Sequence, residues 1–109
     1  MKNIPFIIRQ GDVIIRRISE LPENLTPIKR DKRGVVLAEG EISGHFHGIA
    51  TKGVKHYAAP DAGVTYLEVQ EAMALLKHDE HATAKLPPGK YEVRIQREYR
   101  RKEITRVID

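Results

Sequence analysis

Several residue types and motifs that identify common protein classes are absent from this chain. It has no cysteine, which excludes disulfides, thiolate catalysis and metal centres with cysteine ligands. It has no tryptophan and only two serines, Ser19 and Ser43. It also contains no Walker loop, no Gly-x-Gly-x-x-Gly segment and no Gly-x-Ser-x-Gly elbow. A nucleotide-binding loop and a serine hydrolase are therefore not expected.

Long apolar runs are also missing. The longest candidate covers residues 4–8 (IPFII) and is ended by Arg9. A membrane-spanning helix needs about 20 apolar residues, and the apolar core of a signal peptide is also longer than this run. We therefore expect a cytoplasmic protein with no membrane partner.

The size and composition are those of one globular domain. The chain has 109 residues, of which 40% are hydrophobic and 31% are charged. A domain of this length buries roughly two thirds of its unfolded surface, so we predict a single domain over residues 1–109. Nineteen Lys and Arg residues against 15 Asp and Glu residues give a net charge of +4. This charge permits an anionic partner without requiring one.

The aliphatic residues favour β-strands. Isoleucine and valine together number 20, whereas leucine and methionine together number 9, and β-branched side chains pack well on a pleated surface. Gly11-Asp12 lies between two apolar stretches and predicts a turn that joins two strands. Residues 19–34, with two prolines and many charges, predict a long surface loop. Further strands are predicted at residues 35–38, 54–57, 64–69 and 90–96.

Residues 71–81 allow two alternatives. The run 72–76 (AMALL) has good helix propensity. The flanking segments are β-like, however, and a meander explains the short spacing, so we predict a strand at residues 73–78. About seven short strands in a chain of this size predict an all-β fold with at most one short helix. The expected architecture is a small, mostly antiparallel β-barrel or sandwich.

Four of the five histidines stand in two close pairs, in the segments HFH at 45–47 and HDEH at 78–81. Residues i and i+2 of a strand share a face, so the rings of His45 and His47 can reach one ion. Neutral imidazole is a common ligand of zinc and also suits iron and nickel. His78 or His81, at the predicted end of another strand, supplies a third ligand. These four histidines are the candidate metal ligands.

The histidines and the nearby carboxylates also allow roles without a metal. Histidine pairs occur on protein surfaces that bind no ion. His56 is expected to be a surface or half-buried ring. Asp79 and Glu80 can donate oxygen ligands, but polar turns also carry such residues for solubility alone.

Residues 40–96 resemble the cupins, which are small β-barrels that hold a metal through a His-x-His strand and a later Pro-x-Gly strand. Gly40, followed after four residues by His45 and His47, resembles the first cupin motif. The segment PPG at 87–89 resembles the Pro-x-Gly of the second. The resemblance implies a cupin-like, metal-binding barrel with His45 and His47 among the ligands.

The chain departs from the cupin pattern in several places. The family glycine normally lies one residue further upstream, and the glutamate expected after the second histidine is missing from residues 48–53. Glu92 stands where the family has its last metal histidine, and Gln96 stands where an asparagine is usual. The resemblance therefore implies Glu92 in place of that ligand. The chain is also similar to small bacterial proteins with Gly-His-x-His and His-x-Glu-His segments, a similarity that implies no function.

The basic C-terminal stretch supports a different function. It contains Arg94, Arg97, Arg100 and Arg101 around Tyr99. Such residues can line a groove for phosphates while the tyrosine stacks on a base. Two glutamates in the same stretch equally allow a solvated, self-paired surface.

Two functions therefore compete. The first is a small β-barrel or sandwich that binds one divalent transition metal (Zn, Fe, Ni or Mn), with an open coordination position for a small-molecule substrate or a sensed ligand. The sequence does not decide whether such a protein is an enzyme. The alternative is a metal-free nucleic-acid or protein-binding module that uses the basic C-terminal face. Exposed strand edges further predict a homodimer.

Overall fold

A computed structural model describes residues 6–39, 44–60 and 63–96. Every regular element within these ranges is a β-strand, which confirms the predicted all-β class. The part of the chain described here has no helix that is long and apolar enough to cross a membrane. Its strands are β1 (Ile7–Gln10), β2 (Val13–Ile18), β3 (Thr26–Pro27), β4 (Val35–Glu39), β5 (Phe46–Ile49), β6 (Val54–Ala58), β7 (Val64–Val69), β8 (Ala74–His78), β9 (His81–Leu86) and β10 (Gly89–Ile95).

The strands form two antiparallel sheets. The larger sheet has the order β1-β2-β10-β7-β6-β3, and the smaller has the order β4-β5-β8-β9. Within the described residues the two sheets stay separate and do not close into one barrel, so the sandwich alternative is the one that fits. Among the described strands the chain crosses between the sheets four times, after β3, β5, β7 and β9, and the last crossing lies at Pro87 and Pro88.

Both sheets contribute to one hydrophobic core. The larger sheet supplies Ile15, Leu67 and Val93, and the smaller sheet supplies Ile49 and Leu76. Each of these side chains is almost completely shielded from solvent. Complete burial of such a side chain stabilises the fold by about 1.5–3 kcal/mol. The core therefore fixes how the two sheets face each other, and with that the position of every residue between them.

The β1–β2 hairpin confirms the predicted turn at Gly11-Asp12. Gln10 pairs with Val13 across it, and Gly11 has a φ of +59°. A positive φ at the first of two turn residues is the geometry of a type II′ hairpin, which favours glycine. This turn brings the end of β1 over the smaller sheet.

Residues 74–78 form a strand, as predicted, although their helix propensity is good. Ala74 and Leu76 alternate along β8 and are both fully buried. The strand pairs with β5 on one side and with β9 on the other. Burial of alternate residues between two neighbours therefore outweighs the local preference for a helix.

Residues 19–34 contain little regular structure, in line with the predicted surface loop. Its described elements are the two-residue strand β3, which pairs with β6, and an isolated bridge between Asp31 and Gly34. Most of its residues are exposed or half-buried. The guanidinium of Arg33 pairs with the carboxylates of Asp31 at 2.7 Å and Glu39 at 3.0 Å, which ties the loop to the end of β4.

Candidate metal centre

His47, His78 and His81 lie side by side on three adjacent strands. His78 ends β8 and His81 begins β9, and the two are paired across the hairpin. Extending the β5–β8 register by one residue from the Gly48–Lys77 pair places His47 opposite His78. The β4–β5 and β8–β9 ladders both shift register near this level. Such bulges change the direction in which neighbouring side chains point.

The three rings converge on one another. Ring centroids are 4.3 Å apart for His47 and His78, 4.7 Å for His78 and His81, and 5.9 Å for His47 and His81. Two imidazoles that bind one tetrahedral zinc ion through nitrogens at about 2.1 Å have centroids roughly 5 Å apart. The observed separations bracket that value. In the described parts of the chain, however, no three His, Asp or Glu side chains can hold an ion as they stand, so binding requires the rings to rotate.

Gln10 orients His47 from the opposite sheet. Its amide nitrogen donates to the backbone carbonyls of Leu76 and Ala82, both at 2.9 Å. The amide oxygen must therefore face His47, whose Nδ1 lies 2.7 Å away. Because a carbonyl oxygen only accepts, Nδ1 of His47 carries the proton and Nε2 carries the lone pair. Metal-binding histidines are commonly held in their ligand tautomer in this way.

The proton of His78 is placed differently. Its Nδ1 accepts the backbone N–H of Glu80 at 3.0 Å, so the neutral ring carries its proton on Nε2. Burial lowers the pKa of His78, and the charges of His81 and His45 lower it further. The carboxylates of Asp79 and Glu80 raise this pKa, but by less. The ring is therefore neutral at pH 7, as a ligand must be. Metal binding through Nε2 moves the ring proton to Nδ1, so His78 must then give up the hydrogen bond that Nδ1 accepts from Glu80.

The backbone of Gly11 covers the cluster. A Cβ atom at this position would lie 2.8 Å from Nε2 of His81 and 3.2 Å from Cε1 of His47. Both the positive φ and this close approach require glycine. The β1–β2 turn thus limits the space above these two rings.

His45 is a half-buried member of the cluster, whereas His81 is exposed. Its ring meets His78 edge-on, with centroids 5.9 Å apart. Its Nε2 lies 3.5 Å from the Asp79 carboxylate, and its Nδ1 lies 3.8 Å from the Glu80 carboxylate. His45 is therefore near enough to join a site at the other three rings, and the carboxylates of Asp79 and Glu80 lie within 4 Å of it.

His56 is separate from the cluster. It lies on β6 and is 7% exposed, so it is buried where the sequence predicted a surface or half-buried ring. Burial lowers its pKa to about 4.

Glu92, which the cupin resemblance placed in the metal site, has other partners. Its carboxylate contacts Arg16 and Arg94, each at 3.1 Å. It alternates along β10 with the core residues Tyr91 and Val93, so it points to the opposite face of the sheet. Burial opposes ionisation, but hydrogen bonds and charges from the two arginines prevail and hold the pKa of Glu92 below its usual range.

The predicted basic face is described only in part. Arg94 is its one member within the described ranges, and it pairs with Glu92. Arg97, Tyr99, Arg100 and Arg101 lie outside the described residues. The nucleic-acid alternative based on them stays a prediction.

Sequence reasoning missed Gln10. Its partner His47 is 37 positions away, on the other sheet. A glutamine at the end of a strand has no local feature that signals such a contact. The nearest available signal was the Gly11-Asp12 turn next to it.

Comparison with known proteins adds a family but no function. Residues 9–96 match a family described as a domain of unknown function, DUF8820. The match includes Gln10, Gly11 and the four clustered histidines and ends before Arg97. No curated protein and no solved structure matches the chain. Because the match covers most of its length, the chain belongs to the DUF8820 family.

Proposed function

We propose that this protein binds one divalent transition metal ion through His47, His78 and His81, with His45 as a further ligand. The observation that carries the proposal is the convergence of three imidazoles, one of which is held in the ligand tautomer by a buried amide. Zn, Fe, Ni and Mn are the candidate ions, and imidazole suits the first three well.

The three ligands His47, His78 and His81 leave a coordination position that either His45 or a small molecule can occupy. A metal bound in this way supplies a Lewis acid that can polarise a substrate oxygen or hold a sensed ligand. The proposal includes both uses and assigns no reaction. The cupin-like character, the cytoplasmic location and the homodimer stay predictions.

Elemental analysis and calorimetry test the metal site. The untagged protein is purified, stripped with a chelator and titrated with Zn²⁺, Ni²⁺, Fe²⁺ and Mn²⁺ in turn. We expect close to one ion per chain for at least one metal, and loss of that binding in His47→Ala and in His81→Ala.

Lys77→Ala provides a matched control, because Lys77 is an exposed residue next to His78 on β8. It should bind metal like the wild type. If no metal binds and chelator leaves thermal stability unchanged, the cluster only connects the two sheets through hydrogen bonds, and the proposal fails.

A specific observation also favours a second candidate, binding of a nucleic acid. Arg30, Lys32 and Lys52 line a cavity of about 410 Å³, together with Asp31 and Arg33, which pair with each other. Arg30 is held in place there by hydrogen bonds at 3.0 Å to the carbonyls of Ala50 and Thr51. The three cations have no carboxylate partner among the described residues. Such a cavity can receive a phosphate.

A further inference from the structure

The outer face of the larger sheet carries tyrosines and cations side by side. Leu67 on β7 belongs to the hydrophobic core, so Tyr66 before it points to the opposite face, because side chains alternate along a strand. By the same alternation Val54 on β6 places Tyr57 on this outer face. On β2, the core residue Ile15 places Arg16 there.

The strand register aligns these side chains in one row. Tyr57 pairs with Tyr66, and Glu92 pairs with Tyr66 on one side and with Arg16 on the other. Neighbouring strands lie about 4.8 Å apart, so the Cα atoms of Tyr66 and Arg16, two strands apart, are separated by roughly 10 Å. A short flexible strand of nucleic acid can therefore reach a ring and a guanidinium together.

The two tyrosine rings are available for stacking. Tyr57 and Tyr66 are half-buried, so neighbours on the sheet support each ring while part of it stays exposed. Neither ring contacts another aromatic ring in the described part of the chain. Aromatic side chains on a protein surface stack on nucleic-acid bases with little sequence preference, because every base has a π-face.

The charge of the outer face is positive. Glu92 is mostly covered, with 9% of its side chain exposed against 55% for Arg16. Arg16 uses one of its five N–H donors on Glu92, so the others can contact phosphate oxygens. Lys90 contacts Glu20 of the adjoining loop at 3.7 Å, and an excess of cations remains. Among the described residues the strands present on this face the cations Arg9, Arg16, Lys55, Lys90 and Arg94 and the carboxylates Glu68 and Glu92.

We propose that the outer face of the larger sheet binds single-stranded nucleic acid, with bases stacked on Tyr57 and Tyr66 and phosphates held by Arg16 and Lys55. Lys55 is exposed and lies two positions before Tyr57 on the same face of β6. The proposal rests on the nucleic-acid candidate above, and it needs neither the metal nor the cavity beside Arg30.

Oligonucleotides with and without bases separate stacking from charge. A fluorescent oligothymidine of about 12 nucleotides and an abasic strand with the same number of phosphates are titrated with the protein at low salt, and fluorescence anisotropy reports binding. We expect the oligothymidine to bind about 5- to 150-fold more tightly for each stacked base. Equal affinity for the two strands would overturn the proposal. Equally tight binding of polyglutamate would also overturn it, in favour of an acidic protein partner.

Variants on the two sheets locate the site. Tyr57→Leu and Tyr66→Leu keep an apolar side chain but remove the ring, so each should reduce the preference for oligothymidine over the abasic strand. Tyr66→Phe should keep that preference. Lys55→Ala should weaken both strands alike, whereas Lys85→Ala, an equal loss of charge at an exposed position of β9 in the smaller sheet, should change neither.

Two further outcomes distinguish this proposal from the candidate function on which it rests. Base-dependent binding that is lost in Arg30→Ala and unchanged in both leucine variants would overturn the proposal but leave the nucleic-acid candidate standing. No binding of either strand by the wild type would remove both.

Discussion

Oε1 of Gln10 lies 2.7 Å from Nδ1 of His47, and this contact joins the two sheets at the candidate metal centre. The same amide donates two further hydrogen bonds to backbone carbonyls of the smaller sheet. Gln10 and His47 are each 3% exposed. Because every polar atom of the Gln10 side chain is engaged, its orientation is fixed, and the tautomer of His47 follows from it.

Replacing Gln10 by leucine should therefore affect both stability and metal binding. The change leaves the buried Nδ1–H of His47 without its partner, at about 1–3 kcal/mol when fully unsatisfied, and removes one hydrogen bond each from the carbonyls of Leu76 and Ala82. Loss of the orienting group should also weaken metal binding about 10- to 100-fold. Urea denaturation and calorimetry measure the two effects. Arg9→Leu, at an exposed neighbour on β1, serves as the control and should change neither. Wild-type metal affinity in Gln10→Leu would contradict this role.

Gly11→Ala should be more harmful than an alanine at another glycine with positive φ. Gly53 has a φ of +80° and open space around it, whereas a Cβ at Gly11 would collide with Nε2 of His81. The left-handed conformation alone costs alanine about 1–2 kcal/mol at either site. We expect Gly11→Ala to lose at least about 1 kcal/mol more, from overpacking against the rings. Chemical denaturation of both variants measures the difference. Equal losses would mean that the rings move aside freely.

Metal binding should depend on pH because histidine binds metal only when it is neutral. The unperturbed pKa of histidine is about 6.5, so protons compete with the metal below that value. We expect the metal-dependent rise in melting temperature at about pH 8 to shrink markedly by about pH 5. Thermal unfolding with and without chelator at both values provides the measurement. Equal sensitivity to chelator at both values would show that other groups hold the ion.

Burial of His56 makes a separate contribution to the pH dependence of stability. Its pKa is about 4 in the folded protein against 6.5 in the unfolded chain, so the unfolded state binds more protons between these values. The contribution of His56 to the unfolding free energy is therefore fully present above pH 6.5 and is lost as the pH drops towards 4. The expected loss is about 2–3 kcal/mol.

Comparison with His56→Phe isolates this contribution. In that variant the difference in unfolding free energy between neutral and acidic pH should be smaller by most of that amount. An unchanged difference would mean that His56 is not buried in its neutral form.

Nucleic-acid binding by the basic residues has a distinct salt dependence. If four to six of them contact phosphates of a single strand, log K should fall against log salt with a slope of roughly −3 to −4. Replacing Arg100 and Arg101 by alanine should make the slope shallower and weaken binding similarly for all sequences. Arg30→Ala tests the cavity lined by Arg30, Lys32 and Lys52 in the same assay, and it should also weaken binding. No binding of labelled RNA or single-stranded DNA at low salt would remove this candidate.

Much of the fold could be predicted from local patterns. Residues 64–69 form a strand with the predicted bounds, and Gly11-Asp12 forms the predicted turn. In both places the deciding physics is local, because alternation of apolar residues and the conformational freedom of glycine act over a few positions. Closeness within each histidine pair follows from local sequence, since His47 lies two positions after His45 and a tight hairpin joins His78 to His81. The approach of the two pairs to each other depends on the pairing of β5 with β8.

Other features depended on how the two sheets pack. No local pattern signals that Gln10 contacts His47 across the sandwich, or that Nε2 of His56 lies buried without a partner among the described residues. Glu92 matched a ligand position by its spacing, yet alternation along β10 directs it to the arginines on the outer face.

By itself, the sequence determined the all-β class, the Gly11-Asp12 turn and strands such as residues 64–69, because these depend on interactions between near neighbours. Only the tertiary structure decided which nitrogen of His47 carries the proton, which histidine is buried apart from the others and where the cavity beside Arg30 lies. These properties arise from contacts between residues far apart in the chain. Such contacts form only when the hydrophobic core brings the two sheets together.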